Sequence, residues 1–168
     1  SNIKNNKSIW IHASSVGETK IALEVLKKLY ELGHKDILIT TSTPSSKQII
    51  DTVSMCEIDH LYIPFDFYFT MKRFVRNISP KLLIIIETEI WPNLYNQCKK
   101  GGSKIIIINA RLNPNRSILQ NIIKDIYTKT LQSVDGIYCK SKKDYEVFSE
   151  YVNKEKIKNL GNIKYSLL

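Results

Sequence analysis

The chain has 168 residues, of which 43% are apolar and 24% are charged, and 25 Lys and Arg against 16 Asp and Glu give a net charge of +9. This length suits one domain with a stable, soluble core, and the composition excludes a disordered tail, a collagen-like repeat and a disulfide scaffold. The longest apolar run, residues 82–86, is far shorter than the roughly 20 residues that a membrane-spanning helix needs.

Apolar, β-rich runs alternate with segments of helical periodicity along the whole chain. Strands are predicted at residues 8–13, 36–41, 60–64, 81–87, 104–109 and 136–139, with a weaker signal at 157–160. Helices are predicted over the apolar stripes of residues 21–32 and 118–127, and after Pro44, Asp66, Pro92 and Ser141. Several strands are continuously apolar, as in a parallel sheet that helices cover on both faces. The pattern predicts a Rossmann-like, doubly wound α/β domain with a mostly parallel sheet.

The loop after the first predicted strand, residues 14–18, has the sequence Ser-Ser-Val-Gly-Glu. It lacks the glycine pattern of dinucleotide-binding loops and the Gly-Lys-Ser/Thr of phosphate-binding loops, so no nucleotide cofactor follows from it. Ser15 and Glu18 have the spacing of a helix capping box. Alternatively, Glu18 lies as a general base in the crevice outside the carboxyl ends of the strands, where the helix dipole keeps it ionised. Both interpretations stay open at this point.

Polar residues also follow the second, fourth and fifth predicted strands. Residues 40–44 place four hydroxyl groups before a helix, where they cap it or donate hydrogen bonds to a sugar or phosphate. The fourth strand ends in Glu-Thr-Glu-Ile-Trp-Pro-Asn at residues 87–93, and a charge beside a buried strand is costly unless it is paired or used. We therefore predict that four charged residues converge at one edge of the sheet, namely Glu18, Glu87, Glu89 and Arg111.

The cysteines and histidines follow no known metal-binding or disulfide pattern. The three cysteines are Cys56, Cys98 and Cys139. Because they are odd in number and widely spaced, we expect reduced, mostly buried thiols. The three histidines are equally dispersed, so we expect no metal site and no cofactor.

Six segments, in this order, resemble the lipid A-specific 3-deoxy-D-manno-octulosonic acid (Kdo) transferase family. They are Trp-Ile-His-Ala-Ser-Ser-Val-Gly-Glu at residues 10–18, Thr-Thr-Ser-Thr-Pro at 40–44, Pro-Phe-Asp at 64–66, Glu-Thr-Glu-Ile-Trp-Pro-Asn at 87–93, Asn-Ala-Arg-Leu at 109–112 and Gly-Asn-Ile-Lys at 161–164. The resemblance implies that residues 1–168 are the acceptor-binding N-terminal domain of a two-domain GT-B glycosyltransferase. The family's N-terminal membrane anchor, and its C-terminal domain with most CMP-binding residues, would then lie outside this sequence.

The same resemblance implies an activity and a location. Members of the family transfer Kdo from CMP-Kdo to the lipid A precursor, lipid IVA, in lipopolysaccharide core biosynthesis. The reaction is inverting and independent of metal ions. We therefore expect the full-length protein to work at the cytoplasmic face of the bacterial inner membrane, and we expect this chain alone to be inactive.

The resemblance also assigns roles to individual residues. Glu18 matches the catalytic base, and Glu87 and Lys164 match positions that stabilise the transition state. A cation such as Lys164 offsets charge on the leaving phosphate or on the Kdo carboxylate. For Glu87, a structural role as the acceptor that holds the Trp91 loop is equally open. The other predicted substrate-binding residues are Ser15, Gly17, Thr41, Ser42, Thr43, Glu89, Asn93, Asn109 and Arg111.

Residues 65–76 combine aromatic and basic side chains. One interpretation is an ordinary amphipathic helix that packs Phe69 and Phe74 on the sheet. The other is a surface that lies in a membrane interface near anionic head groups. The residues predicted for that surface are Phe67, Tyr68, Lys72 and Arg73.

Two other functions compete with this interpretation. A non-catalytic α/β module that binds a nucleotide or a phosphorylated ligand would have the same fold. Nucleic-acid binding is disfavoured, because the lysines are scattered and neither a Gly-x-x-Gly clamp nor an aromatic RNA-binding motif is present. Lys also outnumbers Arg 21 to 4, although Arg matches two phosphate oxygens at once. The net charge is therefore only in part a sign of an anionic partner.

Overall fold

A computed structural model describes residues 8–53, 58–111 and 120–161 of the chain. Its strands are β1 Ile9–Ala13, β2 Ile37–Thr41, β3 Asp59–Tyr62, β4 Leu82–Ile86, β5 Lys104–Ala110, β6 Gly136–Cys139 and β7 Ile157–Asn159. Its helices are α1 Val16–Glu31, α2 Pro44–Asp51, α3 Tyr68–Ile78, α4 Pro92–Lys100, α5 Gln120–Gln132 and α6 Lys142–Phe148, with a 3-10 turn at Lys154–Lys156. Every predicted strand is present in the structure, with ends that differ by a few residues.

The strands form one sheet in the order β3-β2-β1-β4-β5-β6-β7. All neighbouring pairs are parallel, which confirms the predicted doubly wound fold. The chain order reverses between β1 and β4, and ligands of such sheets bind outside the carboxyl ends of the strands at this point. The loops after β1 and β4 therefore face each other across the expected binding crevice.

Each central strand is buried on both faces. In β4, Leu83 and Ile85 belong to one apolar cluster, while Ile84 and Ile86 belong to the other. Helices α1 and α2 cover the second cluster, and α3 to α6 cover the first. Successive side chains of a strand point to opposite faces, so a strand that is covered twice has no polar alternation. This arrangement explains the continuous isoleucine runs.

Residues with hydroxyl side chains are the N-caps of three of the helices. The Oγ atoms of Ser15, Thr43 and Ser141 each accept a hydrogen bond from the backbone N–H three residues later, as N-cap residues do. Gly33, with φ of 89°, follows α1 as predicted. None of the helices in the described ranges is long and apolar enough to cross a membrane.

Candidate active site

The start of α1 holds the Glu18 carboxylate in place. The Ser15 hydroxyl donates to Glu18 Oε1 at 2.9 Å and accepts from the Glu18 N–H at 3.3 Å. The Ser14 N–H donates to Glu18 Oε2 at 2.7 Å. Only 7% of Glu18 is exposed, so this carboxylate is buried at a helix N-terminus with a donor on each oxygen. Gly17 lies exposed between these residues.

Burial raises the pKa of Glu18 above its ordinary value. The hydrogen bonds from Ser14 and Ser15 lower this pKa, whereas the negative charges of Glu89 and Glu87 raise it further. A carboxylate with a raised pKa is a stronger base once it is ionised. Glu18 in the first turn of α1 and the two carboxylates after β4 are thus close enough to interact electrostatically.

The β4–α4 loop, residues 87–91, contains two carboxylates with different partners. Glu87 Oε2 lies 2.9 Å from Nη2 of Arg111, the residue that follows β5. Glu89 Oε2 accepts the indole N–H of Trp91 at 3.0 Å, and the Glu89 carbonyl accepts the Tyr95 hydroxyl at 2.8 Å. The acceptor that holds Trp91 is thus Glu89, and Glu87 forms an ion pair instead.

Two neighbouring strand ends have a left-handed backbone. Glu87 after β4 has φ of 61°, and Asn109 in β5 has φ of 53°. Such a conformation costs roughly 1 kcal/mol or more for a residue with a Cβ, and strain of this kind clusters at functional sites. The backbones are joined, because the Glu87 N–H donates to the Ile108 carbonyl at 2.8 Å.

Asn109 is the other unusual residue at this edge. It is 1% exposed, and neither atom of its carboxamide has a hydrogen-bond partner among the described residues. A buried polar group without a partner costs about 1–3 kcal/mol. The predicted substrate-binding role of Asn109 would account for such a group, and it stays a prediction.

The hydroxyl groups after β2 have mixed surroundings. Thr41 is buried, and its Oγ1 lies 2.9 Å from Nε2 of His60. Thr43 caps α2. The Ser42 hydroxyl donates to the Ser14 hydroxyl at 3.2 Å, which places it beside the loop that holds Glu18. Of these three predicted substrate-binding residues, Ser42 has the most direct link to the crevice.

His12 of β1, which no sequence pattern singled out for a role, supports the same loop. His12 is fully buried, and its Nδ1 and Nε2 atoms lie 2.9 Å from Thr40 Oγ1 and 3.1 Å from Ser14 Oγ. Its ring makes an edge-on contact with Trp91, with centroids 5.7 Å apart. Burial lowers the pKa of His12 to about 4, so the ring is neutral at pH 7. A polar residue inside an apolar strand was the available signal.

The first turn of α3 and the residues just before it present aromatic rings to solvent. Phe65, Phe67 and Phe69 are 80%, 68% and 82% exposed. With Tyr68, which is also exposed, they form a surface that we call the aromatic patch. The prediction that Phe69 packs on the sheet is therefore wrong. Phe74 does pack there, edge-on against Trp10 at 5.5 Å.

Basic groups surround the aromatic patch. Lys72 and Arg73 are exposed on α3, and the Lys100 ammonium lies 5.8 Å from the centre of the Tyr68 ring. All four residues predicted for a membrane surface are therefore exposed on one short segment. A role for this surface at a membrane stays a prediction.

No group of three or more His, Cys, Asp or Glu side chains that could hold a metal ion occurs within residues 8–53, 58–111 and 120–161. Cys98 and Cys139 are free and buried, and burial raises the pKa of both thiols, to about 12 and about 11. Cys56 and Lys164 lie outside the described residues.

A family model described as 3-deoxy-D-manno-octulosonic-acid transferase (kdotransferase) matches residues 1–167. The chain belongs to this family. A bifunctional glycosyltransferase/methyltransferase of Fusobacterium nucleatum is 34% identical over 99% of this chain and 27% of its own length. A 3-deoxy-D-manno-octulosonic acid transferase of Haemophilus influenzae is 34% identical over 96% of this chain and 38% of its own length. The chain thus spans well under half the length of these relatives.

Solved structures with low sequence identity share the fold. A UDP-N-acetylglucosamine 2-epimerase superposes with a TM-score of 0.67 at 13% identity, over 98% of this chain and 48% of its own. Glycyrrhiza uralensis UGT73P12, complexed with glycyrrhetinic acid 3-O-monoglucuronide, gives 0.59 at 10% identity, over 98% of this chain and 50% of its own. At such identities the similarity shows the Rossmann-like fold alone.

In this Kdo transferase family member, charged residues from several strand–helix connections lie at the carboxyl edge of the sheet. The first turn of α1 contributes Glu18, the β4–α4 loop contributes Glu87 and Glu89, and Arg111 directly follows β5. Asn93 belongs to the same region, but its side-chain amide donates to the backbone carbonyl of Asp66 at 2.6 Å. The carboxylates can accept protons or balance positive charge, and Arg111 can bind an anion.

Proposed function

We propose that the chain is the acceptor-binding domain of a glycosyltransferase that moves Kdo from CMP-Kdo to lipid IVA in lipopolysaccharide core biosynthesis. Membership of the Kdo transferase family supports the sugar and the reaction class. The observation that carries the catalytic assignment is Glu18, a buried carboxylate that two donors fix at the switch point of the sheet. Its raised pKa suits a group that must take up a proton.

The proposed reaction is a single inverting displacement without a metal ion. Glu18 accepts the proton of the acceptor hydroxyl as that oxygen forms its bond to the anomeric carbon of Kdo. The bond from that carbon to the CMP phosphate oxygen breaks, and CMP leaves with the electron pair. Glu87 lies on the same edge and balances positive charge on the sugar ring, while Lys164 offsets charge on the leaving phosphate or on the Kdo carboxylate.

Replacing the base tests this proposal. In the complete gene product, we expect Glu18→Gln to lower kcat about a hundredfold to ten-thousandfold, the usual range for loss of a general base. Glu24→Gln, at an exposed position of the same helix, is the matched control and should retain full activity. Radiolabelled Kdo transfer to lipid IVA is the measurement, with circular dichroism to show that both variants fold. Full activity of Glu18→Gln would exclude Glu18 as the base.

We also propose that the aromatic patch and its basic neighbours bind the cytoplasmic face of the bacterial inner membrane. Three exposed phenylalanines and a tyrosine beside Lys72 and Arg73 combine apolar area with attraction to anionic lipids. A phosphorylated lipid acceptor would then reach the crevice from the membrane surface. The exposure of the patch is the observation that supports this location.

Vesicle binding tests the membrane proposal. Replacing Phe67, Tyr68, Lys72 and Arg73 together with Ser should abolish sedimentation of the chain with phosphatidylglycerol-containing vesicles. The control replaces Ile126, Tyr127 and Lys129 with Ser, because these residues are also exposed, apolar and basic but lie on α5. Unchanged binding of the first variant would refute the assignment.

A further inference from the structure

We propose that Asp66 is a positioning residue: it caps the N-terminus of α4 and thereby holds the β4–α4 loop in its active arrangement. The proposal rests on the function proposed above. The Asp66 Oδ2 and Oδ1 atoms accept the backbone N–H groups of Asn93 at 3.0 Å and Leu94 at 2.9 Å. In return, the Asn93 side chain donates to the Asp66 carbonyl at 2.6 Å. Three hydrogen bonds thus join two segments that are 27 residues apart.

The first turn of α4 depends on Asp66 because the helix has no cap of its own. Its N-cap residue is Trp91, which makes no side-chain capping bond, and Pro92 follows. The first N–H groups of a helix need an acceptor, and a carboxylate also interacts favourably with the helix dipole. Asp66 supplies that acceptor from a distant turn.

The contacts of α4 then continue to the catalytic groups. The Tyr95 hydroxyl of α4 donates to the Glu89 carbonyl, and the Trp91 indole N–H donates to the Glu89 carboxylate. Trp91 also contacts His12, which contacts Ser14 beside Glu18. A shift of the α4 N-terminus would therefore move Glu89 relative to Glu18.

Asp66 also connects this loop with the aromatic patch. Phe65 and Phe67 flank Asp66, and the Phe67 N–H donates to the Phe65 carbonyl at 2.7 Å. The turn that exposes these two rings is therefore the same turn that supplies the acceptor for α4. One residue joins the proposed membrane surface to the proposed catalytic loop.

Trp91 provides a direct readout in the chain as it stands. The other tryptophan, Trp10, is fully buried, so quenching by acrylamide reports mainly on Trp91. For Asp66→Ala we expect an about twofold larger quenching constant, and faster amide exchange at Asn93 and Leu94, because local opening becomes easier. Asp66→Asn keeps one acceptor oxygen and should give a smaller change.

The control is a second aspartate that accepts a backbone N–H from a distant segment. Asp135, just before β6, accepts the Ile105 N–H at 2.7 Å and the ammonium of Lys99 at 2.9 Å. Lys99 belongs to the last turn of α4, so Asp135 contacts that helix at the end opposite to Asp66 and Trp91. Asp135→Ala should lower the stability of the chain and leave Trp91 quenching unchanged. In the complete gene product, Asp66→Ala should lower kcat about tenfold or more with little change in KM, whereas Asp135→Ala should leave both unchanged.

The outcomes separate the two proposals. Unchanged Trp91 quenching and amide exchange in Asp66→Ala would overturn the positioning role, and so would equal effects of Asp66→Ala and Asp135→Ala. If the complete gene product shows no Kdo transfer in any form while Trp91 still responds to Asp66→Ala, the proposed reaction is wrong and the structural link stands.

Discussion

At the scale of single residues, the geometry of Glu18 is compatible with both roles that its sequence position allowed. The Ser15–Glu18 capping interaction is present, and the same carboxylate lies almost buried beside Glu87 and Glu89. A cap and a catalytic base are therefore compatible, because the bonds that fix the helix start also fix the carboxylate. The spacing of Ser15 and Glu18 predicts the cap, and the order of the strands predicts the nearby charges. The burial of the Glu18 carboxylate becomes visible only in the fold.

Glu89 should tune the pH dependence of catalysis. Its negative charge raises the pKa of Glu18, after the larger effect of burial. The proposed general base acts in its ionised form, so the rate should fall as the pH drops through this pKa. We expect Glu89→Gln to lower the pKa of Glu18 and to extend activity to lower pH. The measurement is kcat/KM against pH in the complete gene product, with Glu24→Gln as control. An acid limb that stays in place or moves upward would contradict this prediction.

His12 should make the stability of the chain dependent on pH. Because burial lowers its pKa from 6.5 to about 4, the unfolded chain takes up a proton before the folded chain does. The contribution of neutral His12 to the free energy of unfolding is complete above pH 6.5. It declines as the pH falls towards about 4, by about 3 kcal/mol in all. Urea unfolding should show that His12→Gln and the parent chain differ less at pH 4.5 than at pH 7.5. A difference between the His12 variant and the parent chain that does not vary with pH would contradict this prediction.

At the scale of elements, helix α3 shows where periodicity predicts correctly and where it does not. Its buried residues are Met71, Val75 and Ile78, at the spacings of four and three that define one face. Phe69 precedes Met71 by two residues and therefore lies roughly 200° around the helix from it. Hydrophobicity alone suggested burial for Phe69, but its position on the helix dictates exposure. The Asp66 cap of α4 was equally beyond local pattern, since its partners are distant in sequence.

A substitution at the C-terminus of α3 should stabilise the chain. Its C-cap residue, Ser79, has φ of 49°, a conformation that glycine adopts without steric cost. We expect Ser79→Gly to raise the free energy of unfolding by about 0.5–1 kcal/mol.

Gly33 provides the reverse test, because φ is 89° there and an added Cβ would meet no atom within 4 Å. Gly33→Ala should therefore destabilise the chain by about 1 kcal/mol through the backbone alone. Urea denaturation measures both, and destabilisation by Ser79→Gly would contradict the prediction.

At the scale of the whole molecule, the strand order decides what the site contains. The alternation of strands and helices predicts a parallel sheet, and the rule for switch points indicates which loops to examine. Together they predict Glu18, Glu87, Glu89 and Arg111 as the charged residues of the candidate site, and their functional role stays a prediction. The specific pairs, Glu87 with Arg111 and Glu89 with Trp91, could not be predicted, because they depend on which strands are neighbours and on the left-handed turn at Glu87.

The chain as a whole should fold without catalysing Kdo transfer. Within the described residues, the sheet has an apolar core on both faces, so urea should unfold the chain in one cooperative transition. Its crevice, however, is formed by the carboxyl edge of a single sheet, and the chain spans 27% to 38% of the length of its two relatives. Because resemblance places most CMP-binding residues in a second domain, the 168-residue chain should give no labelled product from CMP-Kdo and lipid IVA. The complete gene product should give that product under the same conditions. Turnover by the isolated chain above that of its Glu18→Gln variant would show that the donor site lies within these residues, and would refute the division of labour between two domains.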